Sequence, residues 1–273
     1  MKKNKKIQKL SKVLKNNFNQ LKIKKYKNAF IASDLSCLRK LRINKEKLLE
    51  TIFLSLKKSL NYKSTIFVPT GNLSLCNSEI VFDLKNTPSK DMGSFSEYIR
   101  KKKNTVRSLH PYWSVSANGE KAKLLKNVSK HSYGIGSPWS IMLELDTVQI
   151  NIGKKPGRAV TLIHHLETIC GVPYRFNKQF YHKIKLGKKI IKQDFYMSVF
   201  FKKINIEKRK KLNEHYFKEL KKRNQIKEVK NEFGLTIWSF KMRDFYSLVD
   251  EKMKKNIFNY LEFKPDLKDL DNI

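Results

Sequence analysis

One pair of residues in the sequence has the types and spacing that suit acid–base chemistry. His164 and Glu167 lie three positions apart in the segment TLIHHLETIC at 161–170, so they share one face if this segment is helical. Histidine titrates close to neutral pH and is therefore suited to removing a proton there. Thr161 is a candidate cap for the helix, and His164 would then lie in the first turn, where the helix dipole disfavours the imidazolium form. On spacing alone, a buried histidine satisfied by a backbone carbonyl is the simpler interpretation.

Further polar residues are candidates for supporting roles. Glu167 could orient the histidine ring or bind an amine, and Asp194 is a candidate third member that polarises the histidine. His165 points to another part of the helix and is predicted to be structural. Cys170 could be imagined as a nucleophile, but it lacks a local activating base and is predicted to be a small core residue.

The composition is strongly basic. The formal net charge is +35, and the 59 basic residues comprise 50 lysines and 9 arginines. Such a charge attracts polyanions, namely nucleic acid, anionic lipid or small molecules that carry phosphate. A compositional bias towards lysine is the alternative explanation. Arginine is the residue that reads nucleic-acid bases most effectively, and its scarcity argues against a specific nucleic-acid partner.

The cysteine content and hydropathy also limit the class of protein. Cys37, Cys76 and Cys170 are odd in number and far apart, which argues against a disulfide framework and against a metal site. No apolar run approaches the roughly 18 residues that span a bilayer, and the charged N-terminus lacks the apolar stretch of a signal peptide. The sequence therefore predicts a cytoplasmic protein without a membrane span.

The order of apolar patterns predicts an α/β fold in which strands alternate with helices. Residues 1–273 are predicted to form a single domain, with 1–27 as a basic helical lead. Residues 87–120 have no clear period, as is common in active-site loops. The further predicted elements are strands at 28–33 and 64–69, helices at 45–60 and 94–102, strands within 141–153, a helix at 161–170, a hairpin at 178–200 that turns near Gly187, a basic helix at 207–223, a strand at 235–240 and a helix at 243–261.

Separated motifs in the same order resemble the aminoglycoside 3-N-acetyltransferase family. They are TIFVPTGN at 65–72, TPSKDMGSFSEYIR at 87–100, RSLHPYWSVSANG at 107–119, GIGSP at 134–138 and TLIHHLE at 161–167, followed by GVPYR at 171–175. The resemblance covers about residues 28–175. It departs from the family where ASDLS at 32–36 replaces a frequent His-Ser-Ser-Leu element, and residues 176–230 do not align clearly.

The resemblance implies a fold, a cofactor and a set of site residues. It implies a mixed central sheet flanked by helices, of the antibiotic N-acetyltransferase type rather than the GNAT type. It also implies acetyl transfer from acetyl-CoA to a primary amine on a sugar, with His164 as the general base. The expected coenzyme A site contains Ser33, Asp34, Leu35 and Ser36, with Arg107 and Ser108 as further candidates. His110, Trp113 and Tyr174 are candidates for binding the acceptor.

The acceptor is predicted from the charge of the chain. Aminoglycosides are polycations, which a strongly positive protein repels at long range, although local pockets can override a screened field. A nucleotide-linked amino sugar is anionic and would be attracted, so it is the preferred small-molecule substrate. An aminoglycoside is the alternative acceptor, and a basic nucleic-acid-binding protein is the alternative of another class. The oligomeric state stays open, with a homodimer as one option.

Overall fold

Two sheets and seven helices make up the architecture of the described residues. The computed structural model describes residues 2–61, 63–158, 160–201, 213–261 and 263–265. The strands are β1 (Asn28–Ser33), β2 (Thr65–Pro69), β3 (Phe82–Asp83), β4 (Thr105–Arg107), β5 (Val115–Asn118), β6 (Val148–Ile152), β7 (Arg175–Leu186), β8 (Lys189–Phe200), β9 (Ile226–Lys230) and β10 (Thr236–Lys241). The helices are α1 (Lys2–Gln20), α2 (Lys45–Ser59), α3 (Ser94–Lys101), α4 (Pro138–Glu144), α5 (Leu162–Ile169), α6 (Asn213–Lys222) and α7 (Met242–Lys255).

The main sheet has seven strands in the order β4-β5-β2-β1-β6-β10-β9. Its centre is parallel, because β1 pairs in parallel with both β2 and β6. The outer strands β5, β4, β10 and β9 add in antiparallel fashion. The central strands are buried on both faces, which explains their nearly continuous apolar sequences. The carboxyl ends of β1 and β2 meet at one edge, where open α/β sheets usually bind ligands.

Helices cover both faces of this sheet and form two separate cores. On one face, α1, α2 and α3 pack through residues such as Leu14, Ile52 and Phe95. On the other face, α4 to α7 pack through residues such as Trp139 and Leu166. Because the apolar face of α1 is buried in the first core, the basic helical lead packs against the protein and not on a membrane surface.

A long hairpin forms the second sheet. Strands β7 and β8 pair over twelve positions, and β3 adds to β7 in parallel. The turn contains Gly187 at φ 62°, a left-handed conformation that glycine adopts at little cost. The inner face of the hairpin packs Phe180 and Phe195 against Tyr112.

The structure confirms the predicted fold class and most of the predicted elements. The segment 141–153, predicted to contain strands, contains β6 at Val148–Ile152, whereas its first residues belong to α4, which Pro138 starts. The predicted helix at 207–223 is observed as α6 from Asn213, and its earlier residues lie outside the described part of the chain. The closing helix ends at Lys255 and does not reach 261. The assignment of the chain to a single domain stays a prediction.

No helix within the described ranges is both long and apolar enough to cross a bilayer.

Candidate functional site

Helix α5 presents His164 in its first turn. Leu162, Ile163 and Leu166 are buried in the core and fix the helix against the sheet. The side chain of His164 remains 24% exposed, so the ring is held by its neighbours while one part reaches solvent. The predicted cap is corrected: Thr161 has a helical backbone conformation and its side chain makes no capping hydrogen bond.

A buried carboxylate joins His164 to an arginine. His164 Nδ1 lies 2.7 Å from Glu167 Oε2, and Arg175 Nη2 lies 2.8 Å from the same oxygen. Arg175 Nη2 also lies 2.8 Å from Nδ1. The charge-assisted bond to the carboxylate is the stronger of the two contacts of Nδ1. It favours a proton on Nδ1 and leaves the lone pair on Nε2.

The Glu167 side chain has no solvent exposure, and that of Arg175 has only 5%. Burial raises the pKa of Glu167, but the Arg175 guanidinium and His164 more than offset this effect, so the pKa lies below its usual value. The carboxylate is therefore charged at neutral pH. Arg175 is fixed in turn by a bond from Nη1 to the Ser198 carbonyl at 3.0 Å and by the Phe200 ring, whose centroid lies 3.5 Å from the guanidinium carbon.

Two aromatic rings flank the histidine. The ring centroids of Tyr133 and Tyr260 lie 5.6 and 6.2 Å from that of His164, both in edge-on geometry. Burial raises the pKa of Tyr133, so its phenol stays neutral. Tyr133 also contacts Trp113, with centroids 6.3 Å apart.

A small cleft of about 240 Å³ opens at the carboxyl end of β1. Trp113 lines it, and so does Thr161, whose carbonyl accepts a hydrogen bond from the His164 amide at 3.0 Å. Ser33 and Lys154 form further parts of its wall. The cleft therefore adjoins the first turn of α5.

A larger cavity of about 600 Å³, which we call the β1 cavity, shares Ser33 and Lys154 with the small cleft. Its wall contains all four residues that the sequence predicts for coenzyme A, namely Ser33, Asp34, Leu35 and Ser36. The Asp34 carboxylate accepts a hydrogen bond from the Ser36 amide at 3.0 Å, which lowers the pKa of Asp34 and shapes the turn after β1. Asp34 thus supports the wall of this cavity.

The donors around the β1 cavity fit coenzyme A. Gly93 precedes α3 at φ 86°, and a Cβ there would come within 3.2 Å of the Ser33 carbonyl oxygen. Ser94 then exposes the start of α3 to the cavity, where backbone amides suit phosphate or amide oxygens. Arg39 and Lys45 add positive charge to the same wall. Hydroxyls, helix amides and cations together match a ligand that carries phosphates and amide groups.

Arg107 and Ser108, the further candidates for the cofactor, have structural roles. Arg107 is buried and donates to the carbonyls of Thr87 at 2.6 Å and Thr70 at 2.5 Å, which ties two loops together. Ser108 is fully buried and accepts a hydrogen bond from the Val115 amide at 2.9 Å. Neither residue lines the β1 cavity, so this cavity does not support their predicted place in the cofactor site.

The three acceptor candidates separate in the structure. Trp113 lines the small cleft. His110 is buried, accepts from the Trp113 amide at 3.1 Å and lies 3.3 Å from the Tyr196 carbonyl, and burial lowers its pKa to about 4. Tyr174 is fully buried and stacks on Phe200 with centroids 6.0 Å apart. His110 and Tyr174 therefore lie in the protein interior, which argues against their predicted role in binding the acceptor.

Asp194 lies away from His164. It pairs with Tyr181 in the hairpin, whereas Arg175 pairs with Phe200. Asp194 and Phe200 are six positions apart on β8, which corresponds to about 20 Å along the strand. The carboxylate beside the histidine is thus Glu167.

The structure agrees with the interpretation of His165 and Cys170 as residues without a catalytic role. His165 is buried, and its Nδ1 accepts a hydrogen bond from the Gly134 amide at 3.1 Å. Burial raises the pKa of the Cys170 thiol, which disfavours the reactive thiolate.

Sequence reasoning missed Arg175 and Tyr133. Arg175 lies in the quoted segment GVPYR, and Tyr133 directly precedes the motif GIGSP. Their distance from His164 along the chain hid their contact with it.

Comparison with known proteins places the chain in a family. A sequence model described as aminoglycoside 3-N-acetyltransferase matches residues 33–254. No curated protein sequence matches significantly. Solved structures show the same fold. The YokD protein of Bacillus subtilis has TM-score 0.74 and 16% identity over 90% of this chain and 94% of its own. AAC-IIIb with CoASH has TM-score 0.76 and 16% identity, over 93% of this chain and 98% of its own. The AAC(3)-IVa apoenzyme has TM-score 0.74 and 19% identity, over 93% of this chain and 91% of its own.

The family match spans well over half of the chain and contains every residue of the histidine–carboxylate–arginine group. The expected cofactor also agrees with the donors found around the β1 cavity. The chain therefore belongs to the aminoglycoside 3-N-acetyltransferase family and is an acetyl-CoA-dependent N-acetyltransferase of that type.

Proposed function

We propose that this protein acetylates the primary amine of a nucleotide-linked amino sugar, with His164 as the general base. The contact of 2.7 Å between His164 Nδ1 and the buried Glu167 carboxylate supports the role of His164 as base. A charged, fixed carboxylate orients the ring and favours one tautomer. It also stabilises the imidazolium that forms when the ring takes up a proton.

We infer separate roles for His164 and for the residues that contact it. Bound in the β1 cavity, acetyl-CoA supplies a thioester carbonyl that an amine can attack. His164 would accept the proton of the acceptor amine at Nε2, while the proton on Nδ1 stays directed at Glu167. Arg175 keeps Glu167 charged, and the rings of Tyr133 and Tyr260 limit the access of water to the imidazole. A base of this kind contributes roughly 10²–10⁴-fold to the rate.

The charge of the small cleft bears on the acceptor. Among the described residues that line it, Asp91 is the one carboxylate and Lys154 the one cation. A single carboxylate suits one ammonium group, whereas a polycation needs several. The net charge of +35 further favours an acceptor that carries negative charge. An aminoglycoside is the second candidate, since the family match bears that name.

Release of coenzyme A thiol, measured with a panel of acceptors, tests the proposal. We expect kcat/KM to be higher for uridine- or thymidine-diphosphate amino sugars than for kanamycin-like compounds. The variant His164→Ala should lose roughly 10²–10⁴-fold in kcat while retaining coenzyme A binding. His215→Ala, a change at an exposed histidine of α6, is the matched control and should keep the rate.

Each part of the proposal can fail separately. A near-normal rate for His164→Ala would remove this residue from the role of base. A preference for kanamycin-like acceptors would contradict the argument from charge. Tight, salt-sensitive binding of nucleic acid without acetyl transfer to any sugar would contradict the whole assignment.

A further inference from the structure

A second large cavity lies on the sheet face that carries α5. It has a volume of about 990 Å³, within the range of ligand sites, and we call it the edge cavity. Its apolar wall contains Trp238 of β10 and Phe217 of α6, both half-buried. Its mouth carries four lysines, Lys155, Lys218, Lys221 and Lys230. Nothing in the chemistry at His164 uses this cavity.

The strand register relates the edge cavity to the small cleft. Ala32 of β1 lines the small cleft and pairs with Asn151 of β6, which pairs in turn with Trp238. Adjacent strands lie about 4.8 Å apart, so the backbones of Ala32 and Trp238 are separated by roughly 10 Å. Paired residues face the same side of a sheet, so both cavities open on one surface.

One loop forms a wall of both cavities. Lys154 lines the small cleft, while Lys155 and Gly157 line the edge cavity. The Asn151 side chain donates to the Lys154 carbonyl at 3.1 Å and holds this loop above the strand that separates the two cavities. A ligand of sufficient length could therefore occupy the edge cavity at one end and the small cleft at the other.

The charges of the edge cavity suit a diphosphate. Within the described part of the chain, none of its four lysine ammonium groups lies within 4.0 Å of a carboxylate. Glu214 and Glu228 also line the cavity, which leaves an excess of two positive charges. Lysine binds phosphate as a compact charge.

The aromatic wall suits a nucleobase. Stacking on tryptophan or phenylalanine is available to every base and needs no base-specific hydrogen bond. An aromatic wall beside unpaired cations is the combination that a nucleoside diphosphate requires. Leu48 of α2 lines the β1 cavity, so this cavity extends from the small cleft towards α2. The β1 cavity already matches coenzyme A. The edge cavity is therefore available to the acceptor.

We propose that the edge cavity binds the nucleoside diphosphate portion of the acceptor, while the attached amino sugar reaches the small cleft. This inference rests on the proposed function, because it specifies where the nucleotide-linked acceptor lies. The backbones of Ala32 and Trp238, which line the two cavities, lie roughly 10 Å apart, two strand spacings of the sheet, and the sugar and the diphosphate would span the path between the cavities.

Steady-state kinetics on three variants test the inference. Trp238→Ala should raise the KM of a uridine- or thymidine-diphosphate amino sugar by roughly 5- to 140-fold, the loss expected for one base–aromatic stack. Trp238→Phe keeps the packing and a stacking surface and should retain most of the affinity. The double variant Lys218→Ala/Lys221→Ala should also raise this KM, with a weaker dependence on salt. The KM of acetyl-CoA and kcat/KM for an unlinked amino sugar should not change.

The matched control is the double variant Lys12→Ala/Lys15→Ala. These lysines are also exposed and three residues apart on a helix, but α1 covers the opposite sheet face. The control removes the same net charge and should leave every KM unchanged.

The outcomes separate the inference from the proposed function. If nucleotide-linked amino sugars are good acceptors but their KM is unchanged in the Trp238 and lysine variants, the inference is wrong and the proposed function stands. A selective rise in the KM of acetyl-CoA would assign the edge cavity to the nucleotide of coenzyme A and also overturn the inference. If the wild-type protein transfers acetyl only to unlinked sugars, the proposed acceptor and the inference both fail.

Discussion

Replacing Glu167 by glutamine removes the charge at the centre of the site and preserves its shape. The carboxylate is fully buried, and its Oε2 atom serves both His164 and Arg175. A neutral amide would leave the Arg175 guanidinium in the interior without its counter-ion. Breaking a buried ion pair in this way costs about 3–5 kcal/mol. At about 2–4 °C per kcal/mol for a chain of this size, Tm should fall by roughly 6–20 °C.

The same substitution should reduce the rate by another route. In the Glu167→Gln variant, the side-chain amide can donate a hydrogen bond to Nδ1 of His164, which would move the ring proton to Nε2, the nitrogen that has to accept a proton. The loss should approach the whole contribution of the base, roughly 10²–10⁴-fold in kcat/KM. Release of coenzyme A thiol reports this rate, and thermal unfolding reports the stability.

A double variant separates the two effects. Glu167→Gln combined with Arg175→Met removes both buried charges, and uncharged replacements of similar volume often restore the stability lost when one partner is removed. We therefore expect Tm to recover most of its loss while kcat/KM stays low. Glu219→Gln is the matched control, because Glu219 also pairs with an arginine, at 3.1 Å, but near the surface. It should cost less than about 1 kcal/mol and leave the rate unchanged.

Two results would refute this reasoning. If Glu167→Gln kept the wild-type rate at a temperature where it is folded, the carboxylate would not orient the base. If the double variant regained rate together with stability, Glu167 would act only as the counter-ion of Arg175.

Two further predictions concern the cofactor wall and the protein interior. Gly93→Ala should raise the KM of acetyl-CoA about tenfold, because a Cβ at φ 86° and 3.2 Å from the Ser33 carbonyl distorts the start of α3; an unchanged KM in steady-state assays would contradict the assigned cavity. Burial lowers the pKa of His110 and of His165 to about 4, while their unfolded value is about 6.5. The unfolded chain then binds more protons as the pH falls from about 6.5 towards 4, so stability should drop, by about 2 kcal/mol for each histidine at pH 5. Urea unfolding at pH 7 and pH 5 measures this loss, and His110→Gln should remove about half of it.

Local sequence patterns predicted the elements whose burial is uniform. The continuous apolar segments 28–33 and 64–69 became β1 and β2 within one residue, because central parallel strands are buried on both faces. Edge strands follow no such rule. Strand β9 reads IKEVK, with Ile226 and Val229 three positions apart and not in strand alternation, and it is a strand because β10 pairs with it. Its structure is decided by a tertiary contact that periodicity does not record.

The same distinction applies within the site. The pair His164 and Glu167 was predictable, because one helical turn brings them together. Arg175 reaches them from the first residue of β7, and Tyr133 reaches them from the loop before α4. Asp194 was a candidate third member beside Glu167, but the hairpin register, which sequence spacing does not give, places it far from Arg175 along β8.

The net charge of the chain explains why anions are attracted but not which anion is bound. A field that is screened over about 10 Å at 0.1 M salt draws all anions towards the surface and selects none of them. Selectivity among phosphate-bearing acceptors must come from groups that contact the ligand. For the acceptor site proposed in the edge cavity, these groups are Trp238 and Phe217, whose stacking is insensitive to salt, together with lysines, whose attraction weakens as salt rises. The lysine content therefore explains attraction at most, and the aromatic wall is the feature that would distinguish a nucleotide-linked sugar from any other anion.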